Sequence, residues 1–458
     1  MSYLGHTPEE GDRMLAAVGI SSVEELAAQI PAAQRMQEAL DLPAGLSEHE
    51  LRNDLEQLGR HNYDPAATPA FLGGGIYDHI VPALIDALVS RPEFATAYTP
   101  YQPEVAQGTL AAIYEFQTMI CELTGMEVAN ASMYDGASAA AEALLLAVHA
   151  TRGERVLLAE GVHPRTAGVI ATYLDGSGVK LEHLSARDGC LQPEALEAAI
   201  AGGGGAVAGV LVQSPNVYGL LEPLDRLGPA LQAHGRGSRR PHLVVSADPL
   251  SLGLLAAPGE LGAETVVGDV QPLGIPAQFG GPTAGFLATR RAWVRRLPGR
   301  LVAEAQDAEG RRGYTLTLQT REQHIRREKA TSNICTNSGL MMLRATIYLA
   351  LVGPQGLREV AEQCLARSRY AFEKLAAVPG VERVYAGPFF REFVVRLPQS
   401  AARVVQRVYR EANLLAGIPL ERLMPERERP HDLLVAVTEK RSRDEIDALA
   451  MALETALG

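Results

Sequence analysis

The sequence predicts an α/β fold: a large domain on a mainly parallel sheet, preceded by an N-terminal helical arm and followed by a smaller C-terminal α+β domain. Three observations predict it. Short apolar runs rich in Val, Leu and Ala recur between about residue 70 and residue 330, separated by helical stretches, and buried strands joined by helical crossovers form parallel sheets. The first 60 or so residues instead carry only short amphipathic helical patterns, and the last 120 or so mix long helices with two isolated strand-like runs.

The arm, residues 1–70, is read from GDRMLAAVG, SVEELAAQI and EHELRNDLEQLGRH, the second following a Ser21-Ser22 cap and the third following Ser47. The large domain, 71–338, takes its strands from RVLLAE (155–160), VKLEHLS (179–185), AVAGVLVQ (206–213), HLVVSAD (242–248), TVVGD (265–269) and GFLATR (285–290). The small domain, 339–458, opens on the helix LMMLRATIYLALVG and a second helix from about Leu357 to Val378. Strand-like REFVVRL and DLLVAVT then flank the helix ARVVQRVYREA. No internal repeat is visible, and GGGG (202–205) and RGSRR (236–240) are loop tips.

Composition narrows the function. Of 458 residues 47% are hydrophobic and 21% charged, as in globular proteins; 42 basic against 54 acidic side chains give a net charge of −12. That balance repels phosphate backbones and anionic lipid, so neither nucleic acid nor a membrane surface is an expected partner. Cys121, Cys190, Cys335 and Cys364 lie far apart with no C-x-x-C spacing, so neither a metal centre nor a disulfide framework is expected, and a reducing cytoplasm is the simplest location. The N-terminus lacks the basic and apolar regions of an export signal, and no apolar run of about 18 residues marks a membrane span.

Ligands of parallel α/β sheets bind at the carboxyl ends of the strands, and three places there carry chemistry. Gly136, Ala137 and Ser138 open a strongly helical segment and offer backbone N–H groups and a hydroxyl to a phosphate, although an ordinary capped helix has the same residues. Asp248 ends the strand HLVVSAD, where a carboxylate can pair with a pyridinium nitrogen or merely cap a turn. The third is the glycine-rich GDVQPLGIPAQFGGPTAGFLATR. Their order is that of pyridoxal-phosphate enzymes of the aspartate-aminotransferase superfamily, fold type I, in which an imine-forming lysine should follow the aspartate. No lysine occurs between Lys180 and Lys329, and the expected position falls near Gln271–Leu273. Lys180, Lys374 and Lys440 read as solvated charges; Lys329 is the one alternative.

Five longer segments then carry a specific resemblance: YTPYQPEVAQGTL (98–110), ANASMYDGASAAAEAL (129–144), QSPNVYGLLEP (213–223), GIPAQFGGPTAGFLATR (274–290) and QTREQHIRREKATSNICTN (319–337). Together they closely resemble the glycine-cleavage-system P-protein family, and within it the subunit 1 branch of the two-chain bacterial form. The resemblance implies decarboxylation of glycine with pyridoxal phosphate and transfer of the aminomethyl group to the lipoyl arm of H-protein. It also implies that the cofactor is bound covalently by a partner, subunit 2, in a hetero-oligomer expected to hold two copies of each chain. This chain would complete the site at the interface, with Gly136, Ala137, Ser138 and Asp248 left as relics of an ancestral site.

On that reading Tyr98, Tyr101 and Gln102 are the candidate catalytic contribution. Pro100 and Pro103 keep their segment out of a helix, and two phenols three residues apart can face a small polar substrate. In the helix-like REQHIRREK, Arg326, Arg327 and Lys329 can face an anion, and His324 and Glu328 would form an i,i+4 pair. Gly73-Gly74-Gly75 with Ile76, Tyr77 and His79 reads as a lid, a crossing segment or only a turn. Two alternatives stand beside the shared site: a purely structural scaffold, and a stand-alone pyridoxal-phosphate enzyme using Lys329.

Overall fold

The structure, a computed structural model, describes residues 5–36, 38, 40–62, 67–96, 98–235, 237–278 and 280–458, with Ser238 as backbone alone. Met1–Leu4 of the export-signal reading, Arg236 of the RGSRR tip and Phe279 of the glycine-rich loop lie outside the described residues. The chain forms two compact units, Met1–Asp64 and Pro65–Gly458.

In the first unit Ser47 caps helix Glu48–Gly59 with a reciprocal box to Glu50, as the sequence suggests, and Thr7 with Glu10 does the same for helix Pro8–Val18. Ser22 is extended but makes no side-chain cap, and Val23–Gln29 is a 3₁₀ helix rather than an α-helix. None of the residues of these three helices is buried.

The second unit is built on a seven-stranded sheet: β1 Val128–Ala129, β2 Arg155–Ala159, β3 Lys180–Leu184, β4 Val207–Ser214, β5 His242–Ala247, β6 Thr265–Asp269 and β7 Gly285–Thr289. The spatial order is β1-β7-β6-β5-β4-β2-β3. From β3 to β6 neighbours are parallel, while β7 runs antiparallel to both β6 and β1. Runs such as RVLLA and HLVVSA are buried because helices cover both faces, which is why they read as continuous apolar segments instead of alternating ones.

A second sheet of four antiparallel strands joins Glu382–Arg383, Glu392–Arg396, Asp432–Ala436 and Ile418–Pro419 in that order. Its core takes Val404 from helix Ala401–Ala412, Leu449 from helix Arg443–Leu457, and also Phe71, whose backbone bonds to Leu415 and Ala436. Helix Gly339–Ala376 links the two cores. It breaks at Gly353 (φ 61°, ψ −177°), just before Pro354, where the sequence predicts one helix to give way to another. Met342, Ala345 and Tyr348 of its first half pack with the large sheet, and Ala371 and Leu375 of its second half with the small one. By length and composition this is the single helix among the described residues that could cross a membrane, and nearly half of its apolar stretch is buried inside the protein.

Candidate functional site

A cavity of about 600 Å³ lies at the carboxyl ends of β4, β5 and β6, lined among others by Gly74, Gly136, Ala137, Asp248, Asp269 and Arg391. Three of the four residues read from the sequence as relics therefore meet in one place. Ser138, the fourth, turns back into its own helix cap.

The helix Gly136–Thr151 starts from Asp135, whose Oδ1 accepts the Ser138 N–H at 2.7 Å. The Gly136 N–H donates to Asp269 Oδ2 at 3.1 Å. Asp269, at the end of β6, also accepts from the Thr283 hydroxyl and from the Gln271 N–H at 2.9 Å. Burial raises its pKa, and these donors oppose that shift. Backbone groups that could cradle a phosphate thus already serve two carboxylates of the same chain.

Asp248 directly follows β5. Its Oδ1 accepts the Leu250 N–H at 3.0 Å, and its Oδ2 is paired with the buried guanidinium of Arg391, which stands just before strand Glu392–Arg396. Arg391 Nη1 lies 2.8 Å from His79 Nε2. A guanidinium only donates, so Nε2 accepts and the neutral ring carries its proton on Nδ1, which donates to Glu439 Oε2 at 2.6 Å. Burial lowers the pKa of His79, in keeping with this tautomer; the hydrogen bonds from His79 and the Ile80 N–H outweigh burial at Glu439 and keep it ionised. Cys364 Sγ donates to the same Oε2 at 3.4 Å. The donor atoms of His79, Cys364 and Glu439 lie within 4.8 Å of one another, but the proton between two of them and the cation on the far side of the ring make the group a hydrogen-bonded relay rather than a metal-ligand set.

Gly73–Gly75 is a crossing segment pressed onto this network. A Cβ on Gly73 would lie 2.1 Å from Glu392 Oε1, and Gly74 (φ 67°) donates its N–H to that oxygen at 2.7 Å. Tyr77 lays its ring 3.6 Å from the Arg391 guanidinium and donates its hydroxyl to Glu392 Oε2 at 2.9 Å. Burial pushes Glu392 up to about 7 despite these donors. Gln271, in the stretch 271–273 where the sequence order expects a lysine, receives the Tyr77 N–H at 3.0 Å and donates to the carbonyls of Tyr77 and Ile275, each at 2.9 Å. It is a clamp between backbone segments. Arg391, Glu392 and Asp269 were not singled out in the sequence; a charged pair at the head of the apolar run REFVVRL was the available signal.

Tyr98, Tyr101 and Gln102 are not among the residues that line the cavity. Their segment is non-helical, as its prolines require, and both rings are exposed, Tyr98 by 80% and Tyr101 by 61%. The four lysines also lie elsewhere: Lys180 is exposed at the start of β3, Lys374 pairs with Asp447, Lys440 pairs with Asp78, and Lys329 is exposed at the end of a short 3₁₀ turn. The segment REQHIRREK is α-helical only over Gln323–Arg326, and the chain turns at Arg327 (φ 53°) into a short 3₁₀ helix, so His324 and Glu328 do not share a helix face; His324 instead lies 3.7 Å from Glu322.

A mainly parallel seven-stranded sheet with an aspartate-bearing cavity at its strand ends and a small C-terminal sheet defines the fold type I class of pyridoxal-phosphate-dependent enzymes. Mouse CSAD (16% identity, TM-score 0.68, 95% of this chain and 92% of that one) and the sphingosine-1-phosphate lyase of Burkholderia pseudomallei (13%, 0.67, 93% and 94%) share the fold. Residues 1–453 match the profile of the glycine cleavage system P-protein, and the chain belongs to that family. The probable glycine dehydrogenase (decarboxylating) subunit 1 of Moorella thermoacetica is 49% identical over 454 residues, and that of Carboxydothermus hydrogenoformans 47% over 453, each alignment covering 99% of both chains. A glycine decarboxylase (P-protein) of the glycine cleavage system, crystallised in inhibitor-bound form, is 44% identical with a TM-score of 0.89 over 100% of both chains.

The cavity of this chain does not fit the cofactor of its fold class. Of the backbone donors read as a phosphate cradle, the Gly136 and Ser138 N–H groups are taken by Asp269 and Asp135, Asp248 is paired with Arg391, and no lysine occurs at Gln271–Leu273.

Proposed function

We propose that this chain is subunit 1 of a glycine decarboxylase of the glycine cleavage system, acting in a hetero-oligomer with two copies each of it and of subunit 2. The complex decarboxylates glycine and passes the aminomethyl group to the lipoyl arm of H-protein. Pyridoxal phosphate is bound covalently by subunit 2, where it supplies the sink for the electrons released as carbon dioxide departs. This chain completes that site from outside with Tyr98, Tyr101 and Gln102, whose hydrogen-bonding groups orient the small substrate. The four free cysteines fit a reducing compartment, and we place the enzyme in the cytoplasm. The three-part division at residues 70 and 338 belongs to the same proposal.

One observation supports the reading: the stretch Gln271–Leu273, where the order of the fold class expects the cofactor lysine, holds none, Gln271 there being bonded to backbone on both sides, and Asp248 is already paired with Arg391. The family membership supports it independently. The test is reconstitution. This chain, subunit 2 and their mixture are each assayed for release of labelled carbon dioxide from glycine, with pyridoxal phosphate and lipoylated H-protein present. Turnover is expected from the mixture alone; turnover by this chain unaided would overturn the proposal in favour of a stand-alone enzyme using Lys329.

A further inference from the structure

The exposed tyrosines of the 98–102 segment bury little area of their own, so packing does not hold their rings; their placement depends on what lies beneath. Against Tyr101 and Thr99 lies Arg300, a nearly buried side chain (4% exposed). Its Nη1 donates to Thr99 Oγ1 at 3.0 Å and to Thr336 Oγ1 at 3.1 Å, and its Nη2 to the Cys335 carbonyl at 3.2 Å. The same guanidinium lies 5.6 Å from the centre of the Tyr101 ring. The Arg300 carbonyl receives the Ala131 N–H at 2.9 Å, and the neighbouring Tyr134 hydroxyl receives the Cys335 N–H at 3.0 Å. Every acceptor of the Arg300 side chain is therefore on one of two non-helical segments, 98–102 or 335–337. Its charge is faced by buried Glu322, with Oε2 4.0 Å from Nε and an Oε1 that has no hydrogen-bond partner among the described residues.

We propose that Arg300 is a positioning residue: its guanidinium fixes the 98–102 segment against the 335–337 segment and so sets the direction in which Tyr98 and Tyr101 are presented. This rests on the reading that those tyrosines serve a site shared with subunit 2. The planar fork is what the task requires, because an ammonium cannot reach three acceptors spread over two segments and cover a ring face as well. A small displacement of a substrate-orienting group costs on the order of a hundredfold in rate.

The test uses the complex with subunit 2, in two variants of this chain, Arg300→Lys and Thr99→Val, the second removing the arginine's acceptor on the loop with little threat to folding. Amide hydrogen exchange at residues 98–102 is expected to speed up at least tenfold in both, with kcat for glycine decarboxylation about tenfold or more lower and assembly unchanged. Combining Arg300→Lys with Tyr101→Phe should slow turnover less than the product of the two single effects, because both act through one group. Unchanged exchange at 98–102, or single effects that multiply, would overturn the proposal. If Arg300→Lys fails to assemble, Thr99→Val decides by the same two readouts. If Tyr98→Phe and Tyr101→Phe both keep full turnover, the shared-site reading fails, and the exchange rates still show whether Arg300 fixes the segment.

Discussion

Arg391 occupies a position that burial makes expensive. A buried guanidinium is tolerated only with partners, and Asp248 and His79 supply them while its Nε stays unpaired among the described residues. Removing the cation strands the Asp248 carboxylate, so Arg391→Met should destabilise the chain by about 3 to 5 kcal/mol. Adding Asp248→Asn should return a large part of that loss, since it removes the stranded charge. Urea midpoints of the two single variants and the double variant measure this; a double variant that loses the sum of the singles would show that the pair is not coupled. On the exposed side of the molecule the expected cost is catalytic. A hydroxyl that orients a substrate in a desolvated site contributes on the order of 2 to 4 kcal/mol. Tyr98→Phe or Tyr101→Phe should therefore lower decarboxylation at least tenfold while leaving assembly and cofactor absorbance intact. Near-normal turnover in both would make the segment structural and the chain a scaffold.

Among the elements, helix Gly136–Thr151 carries a buried carboxyl that reports on its packing. Burial pushes Glu142 from an ordinary 4.5 up to about 7, opposed by the hydroxyl of Ser332. The folded chain therefore holds a proton that the unfolded chain has released between those values, and stability falls as pH rises across that window, then levels off. Glu142→Gln removes the effect. Between pH 4.5 and pH 8 the wild type should lose on the order of 3 kcal/mol relative to the variant, read from denaturation midpoints; a gap independent of pH would contradict the assignment.

Legibility in the sequence followed the range of the interactions. The strands showed because both faces of the sheet are covered, and the break at Gly353 because glycine and proline act locally. The lysine-free interval from 181 to 328 is visible in the sequence alone. The Asp248–Arg391 pair was hidden because its partners come from different sheets and meet only once the chain has folded. The turn at Arg327 was hidden for a different reason: nothing in REQHIRREK marks a non-glycine residue at φ 53°.

At the scale of the whole molecule, the proposal is that a chain of this fold class and family works only together with a second chain. Co-expression with subunit 2 should give one co-eluting species with two copies of each chain, and separate monomers at micromolar concentration would remove the partner assignment. The central claim is that the cofactor of this enzyme is anchored outside this chain. Borohydride reduction of the complex loaded with pyridoxal phosphate, followed by peptide mapping of both subunits, tests it most directly. The expected result is a pyridoxyl group on a lysine of subunit 2 and none on Lys180, Lys329, Lys374 or Lys440; a stoichiometric pyridoxyl group on Lys329 would contradict the account.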